Sequence, residues 1–159
     1  MTEDARFEDG AERPLRLKAE DAEDLSVLAA LVQDAVLPAT EMKWERTRRR
    51  FSLLLNRFRW EAKFAAEQRG RGVERVRALL VVDDVLRVSQ QGLGERDADT
   101  VLSILTLNFE PGDDGTGRFI VTFAGDGAIA LDVEAVNLTL QDVTRPYLAP
   151  SGRSPGHPE

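Results

Sequence analysis

The stretch "TEMKWERTRRRFSLLLNRFRW", residues 40–60, decides how the rest of the chain is read. Met42 and Trp44 alternate with Lys43 and Glu45. After the polar run "ERTRRR", Phe51, Leu53 and Leu55 resume the alternation. Successive side chains of a strand point to opposite faces, so a period of two marks a half-buried strand. The stretch therefore predicts a β-hairpin with its turn near Arg46–Arg49. Phe58 and Trp60 fall out of phase with Phe51, Leu53 and Leu55. That predicts either a β-bulge near Leu55–Asn56 or a strand covered on both faces.

The same stretch holds seven basic residues, Lys43, Arg46, Arg48, Arg49, Arg50, Arg57 and Arg59, interleaved with Trp44, Phe51, Phe58 and Trp60. Arginine pairs bidentately with phosphate and aromatic rings stack on bases, so the composition also fits a nucleic-acid surface. Alternation argues against a stacking platform, because it turns Trp44, Phe51 and Leu53 inward.

Working outward, "EDAEDLSVLAALVQDAVLP" (20–38) changes to a 3.6-residue period. Leu25, Leu28, Val32 and Ala35 or Val36 form one stripe, which Leu31 widens. Asp21 is placed to cap this helix, Glu23 and Asp24 sit at the positive end of its dipole, and Pro38 stops it. The pattern predicts one principal helix from about Asp21 to Val36. "PLRLKA" (14–19) reads as a first strand, with Leu15 and Leu17 two apart. After the hairpin, "EAKFAAEQRGRG" (61–72) is a short helical turn or a loop. "VERVRALLVVDDVLRVSQQ" (73–91) is a strand kinked at Asp83–Asp84. "GLGERDAD" (92–99) is a loop. "TVLSILTLNFE" (100–110), "RFIVTFA" (118–124) and "AIALDVEAVNLTLQDV" (128–143) are strands parted by the turns "PGDDGTG" (111–117) and "GDG" (125–127). Consecutive strands with short turns favour antiparallel pairing. The expected fold class is α+β, a mainly antiparallel sheet or small barrel of about six to seven strands with one principal helix. The expected organisation is a flexible arm over 1–13, one domain over 14–143 and a flexible tail over 144–159.

Two stretches echo each other. "KWE…RRFSLL" and "NFE…GRFIVT" share an aromatic–Glu pair, a turn, then Arg–Phe and an apolar run. "LVVDDV" (80–85) and "LDVEAV" (131–136) follow them with leucine, an acid and a final valine at equal spacing. The order implies two similar three-strand meanders, the first carrying an insertion near 57–72.

The composition narrows the chemistry. The chain has 159 residues, no cysteine, one histidine and a net charge of −7. Neither a disulfide nor a thiolate site can form. His157 lies in a tail of prolines and glycines, which gives a general base or metal ligand no rigid frame. The acidic N-terminus has no apolar run to serve as a signal peptide, and no stretch approaches a membrane span. The absence of cysteine accords with a reducing cytoplasm. Charge is uneven: −6 over residues 1–40, +7 over 41–77 and −8 over 78–159. The basic segment either meets an anionic partner or is balanced by the acidic flanks after folding.

The carboxylates suggest no assembled site. Asp83 and Asp84 are adjacent in a strand and should diverge. Asp113–Asp114 lacks the ligand spacing of a calcium loop, and Gly112, Gly115 and Gly117 precede no Gly-Lys-Ser/Thr phosphate motif. Asp126–Gly127 is a turn signal. What remains is the basic hairpin, with Arg48, Arg49, Arg50, Arg57 and Arg59 as candidate binding residues and no catalytic residue, metal or cofactor.

The run "PATEMKWERTRRRFSLLLNRFRWE" (38–61), with "VLRVSQQG" (85–92), "GDGAIALDVEAVNLTLQDVTRPY" (125–147) and the tail, resembles a family of small alphaproteobacterial proteins, domain of unknown function 2948. The resemblance covers nearly the whole chain. It implies a bacterial cytoplasmic protein and supplies no catalytic residue. On the residues, the leading expectation is a non-enzymatic protein-binding or adaptor module that stays off the membrane. The alternative is an RNA- or DNA-binding protein using hairpin 43–59, and the third reading is a carboxylate-only enzyme.

Overall fold

The computed structural model describes residues 14–60, 74–93, 100–125, 127–145 and 147–148. The expected arm over 1–13, the segment 61–72, the tail from residue 149 onward and His157 lie outside the described residues, as does loop 94–99.

Strand β1 (Arg16–Ala19) leads into helix α1 (Ala22–Leu31). Asp21 caps the helix by accepting a hydrogen bond from the Asp24 N–H at 2.8 Å, and Leu25 and Leu28 are its buried face. The periodic stripe predicts a helix to Val36, but the helix ends at Leu31. Asp34 takes a left-handed φ of 62°, and β2 (Val36–Pro38) follows as a short strand. An α-helix cannot continue through a left-handed residue. Leu37 still reaches the core, from a strand.

The predicted hairpin is present as β3 (Met42–Glu45) and β4 (Arg50–Phe58). Its turn spans Arg46–Arg49, and Arg49 closes it at φ 53°. Beyond it lie β5 (Glu74–Val82), β6 (Val85–Gln91), β7 (Val101–Pro111), β8 (Gly117–Phe123), β9 (Gly127–Val133), β10 (Leu138–Asp142) and β11 (Tyr147–Leu148). Among the described residues the architecture is α+β with every ladder antiparallel, but the sheet has eleven strands, more than the six to seven expected. The excess has identifiable sources. Asp83–Asp84 and residues 134–137 each divide a long apolar run into two strands. β2 hides inside the expected helix, and β11 sits in the expected tail.

Hydrogen-bonded order along the main path is β1–β10–β5–β4–β2–β7–β8–β9–β6, with β3 on β4 and β11 on β5. No bulge occurs at Leu55–Asn56: β4 pairs with β5 from Phe51 to Phe58 without a register shift. The second alternative holds, and β4 is covered on both faces near its end. Phe51, Leu53 and Leu55 face the main core, while Phe58 lies under Trp60 in a separate small cluster.

The two meanders share strand order and direction, β3–β4–β5 and β7–β8–β9. Trp44 pairs with Phe51 and Glu45 with Arg50, as Phe109 pairs with Phe119 and Glu110 with Arg118. The next ladder differs. Phe51 faces Val82, whereas Phe119 faces Leu131, the counterpart of Leu80 in the sequence echo. Each meander then sends its next strand to the other: β6 pairs with β9, and β10 pairs with β5. One cluster of buried side chains joins both, from Leu25 and Phe51 to Phe119 and Leu140.

Candidate functional site

The five candidate arginines lie on one hairpin, and the structure separates them. Arg57 points inward and is 0% exposed. Its Nε and Nη2 donate to Asp142 at 3.0–3.1 Å, and its Nη1 donates to the Phe58 carbonyl at 3.1 Å. Asp142 also accepts from the Leu15 N–H at 2.9 Å, so the pair ties the residue before β1 to β4 and β10. Arg59 is 4% exposed and ion-paired with Glu74. At the other end of β4, Arg49 donates to Glu134 at 2.8 Å and Arg50 to Asp83 at 2.9 Å. The hydrogen bond and charge of Asp83 hold the Arg50 guanidinium pKa above the ordinary arginine value. Arg48 alone of the five is exposed with no ion pair among the described residues. Seven residue steps separate Arg50 from Arg57, roughly 23 Å at strand spacing. The hairpin therefore does not gather its guanidinium groups into one patch.

A different cationic surface comes from five strands together. On the outer face, register sets Lys43, Ser52, Val81, Thr139 and Lys18 in one row across β3, β4, β5, β10 and β1. The next row is Leu54, Leu79, Gln141 and Arg16, and the one below brings Asn56 beside Arg77. Leu54, Leu79 and Val81 are half-buried, whereas Arg16, Lys18, Lys43 and Arg77 are exposed. Lys43 lies 3.3 Å from the partly covered Glu45, and Lys18 lies 3.9 Å from the exposed Glu20. The width from β3 to β1 is about 19 Å, four inter-strand steps. An aliphatic centre thus sits inside a rim of four basic side chains, of which Lys18 and Lys43 are paired with Glu20 and Glu45.

Below this face, Arg75 lies 4.0 Å over the Phe58 ring, and Trp60 packs on Phe58 at 5.9 Å between ring centroids. The Trp60 indole N–H donates to the Gln33 carbonyl at 3.1 Å. Phe58 is thus covered, and its ring is closed to stacking on a ligand.

Alternation in two short stretches carries the signal for this face. Arg16 and Lys18 are two apart in β1. Arg77, Leu79 and Val81 share one phase of β5. Reading charge density along hairpin 40–60 misses them, because the face is assembled across strands distant in sequence.

The acidic pairs stay dispersed. Asp83 holds Arg50, while Asp84 accepts from the Asn137 side chain at 3.2 Å. Asp113 and Asp114 lie in the β7–β8 turn, where Asp114 has φ 54°. Among the described residues, no group of three or more His, Cys, Asp and Glu side chains is placed to hold a metal ion. No helix among them is long and apolar enough to cross a membrane. In comparisons with known proteins, no curated protein and no solved structure matches. The family described as protein of unknown function (DUF2948) matches residues 15–157.

Proposed function

The chain belongs to the family DUF2948, and we propose that it is a protein-binding module that docks an acidic, partly apolar protein segment on the outer face of β3–β4–β5–β10–β1. The observation that carries this reading is the half-buried Leu54, Leu79 and Val81 inside the exposed ring of Arg16, Lys18, Lys43 and Arg77. Desolvating an aliphatic centre supplies affinity, while rim charges speed encounter and choose the partner. A nucleic acid fits this face less well. Its centre offers aliphatic side chains in place of stacking rings, and the nearby Phe58 lies under Arg75 and Trp60.

The test uses three fluorescein-labelled probes titrated with the full chain: a Glu/Leu 14-mer peptide, a Lys/Leu peptide of equal length and a 20-nucleotide single-stranded RNA. The Glu/Leu peptide should bind, and Leu79→Asp with Arg77→Glu should weaken it at least tenfold while far-UV circular dichroism is unchanged. RNA binding that exceeds peptide binding and is lost in Arg77→Glu would replace this reading with nucleic-acid recognition. Equal binding of both peptides would remove the role of the cationic ring.

A further inference from the structure

β6 ends the sheet path and pairs only with β9 among the described residues. Its neighbour on the far side begins and stops at once: the Val85 N–H donates to the Arg49 carbonyl at 2.9 Å. From Leu86 to Gln91 every residue except Val88 is exposed. An open strand edge presents unpaired backbone groups to any second strand, and natural edges usually carry charges or proline to prevent that.

The chain's edges differ in that respect. β1 exposes Arg16 and Lys18 within four residues, and β3 carries Lys43 and Glu45. The outer half of β7 is uncharged from Leu105 to Phe109 and is closed at its end by Glu110 and Pro111. β6, "VLRVSQQ", has no proline and one charge, Arg87. Besides Arg87, the blunting device among the described residues is a register irregularity between Val85 and Arg87, and Leu86 there is 48% exposed. Regular pairing runs from Arg87 to Gln91, and Gly92 ends it at φ 75°. Ser89 is the midpoint of that regular run.

We propose that two copies of this chain associate through β6, edge to edge and antiparallel, with the two-fold axis at Ser89. In that register Val88 faces Gln90 of the second copy and Arg87 faces Gln91. No like charges oppose each other, and each amide side chain has a polar or aliphatic neighbour. The two Arg87 groups stand about 13 Å apart along the strands, beyond the ~8 Å screening length at physiological salt. Two molecules of charge −7 repel, and β6, whose one charge is the basic Arg87, adds no acidic group to that repulsion. The pairing joins β7–β8–β9–β6 of both copies into one continuous sheet and leaves the cationic face of β3–β4–β5–β10–β1 uncovered.

The absence of cysteine makes the register directly testable. Sedimentation equilibrium of the unaltered chain from 2 to 200 μM should give a mass rising toward twice 17.6 kDa. Ser89→Cys should form a disulfide-linked dimer under mild oxidation, because directly opposed strand residues lie within disulfide reach. Gln141→Cys, exposed in the interior strand β10, should cross-link at least tenfold more slowly. Ser89→Lys, which sets two ammonium groups across the axis, should raise the dimer dissociation constant at least tenfold. A monomer at every concentration overturns the proposal. So does a dimer in which Ser89→Cys links no faster than Gln141→Cys, since the interface would then lie elsewhere.

Discussion

Arg57 shows how one residue can reverse the reading of a strand. Hydrophobicity assigns its side chain to solvent and that of Phe58 to the core, yet Arg57 is the fully buried one. Two hydrogen bonds from Nη2 and one from Nε to Asp142 satisfy the guanidinium, so β4 keeps one phase from Phe51 onward. No local pattern announces a partner 85 residues away. Such a pair contributes little relative to a well-packed apolar substitute, but breaking it strands a charge. Asp142→Ala should cost about 3–5 kcal/mol, because it leaves Arg57 buried without its carboxylate. Arg57→Leu should cost a similar amount through Asp142. The double variant Arg57→Leu/Asp142→Leu should recover at least half of either loss. Urea unfolding of the four proteins closes the cycle, and strictly additive losses would mean that the two side chains do not act as a pair.

At the scale of elements, the hairpin, the apolar runs that form β5 to β10 and the helix start were legible because each rests on local signals. These are alternation for β3 and β4, turn residues around Asp113–Gly115 and a capping aspartate at Asp21. The end of α1 was not, since an apolar stripe continues through Val32, Ala35 and Leu37 while the backbone changes course at Asp34. The candidate arginines were legible as a charge cluster, but their partners Asp83, Glu134, Asp142 and Glu74 come from three other parts of the chain. Gly117 shows the same dependence on packing across strands. A Cβ there would meet the Phe109 ring at 2.2 Å, and that ring sits 4.7 Å from Phe119. Gly117→Ala should push Phe109 off Phe119 and destabilise the protein by about 1–3 kcal/mol, the usual cost of overpacking. Phe109→Leu/Gly117→Ala should be less destabilised than Gly117→Ala relative to the matched parent Phe109→Leu. Thermal unfolding of all four chains measures the difference, and an identical cost in both backgrounds would clear the Phe109 ring of responsibility.

Over the whole molecule, the exchange of β6 and β10 between the meanders determines how the protein should unfold. Neither half keeps its own fourth strand: β6 lies on β9, and β10 lies between β5 and β1. Opening one meander therefore removes a strand from the sheet of the other and exposes the shared core from both sides. Coupling of that kind predicts a single cooperative transition. Both tryptophans, Trp44 and Trp60, belong to the first half of the chain, so indole fluorescence reports that half, whereas far-UV circular dichroism reports strands throughout. Their urea midpoints should coincide. The sharper form of the prediction uses a change confined to the second meander. Ile129, 3% exposed in β9, touches the common core, and Ile129→Val should cost about 1 kcal/mol. The tryptophan-reported midpoint should fall by the same amount as the dichroism midpoint, although neither tryptophan lies in the altered half. A shift seen by dichroism alone, or two resolved transitions, would mean that the meanders unfold separately and that the exchanged strands do not couple them.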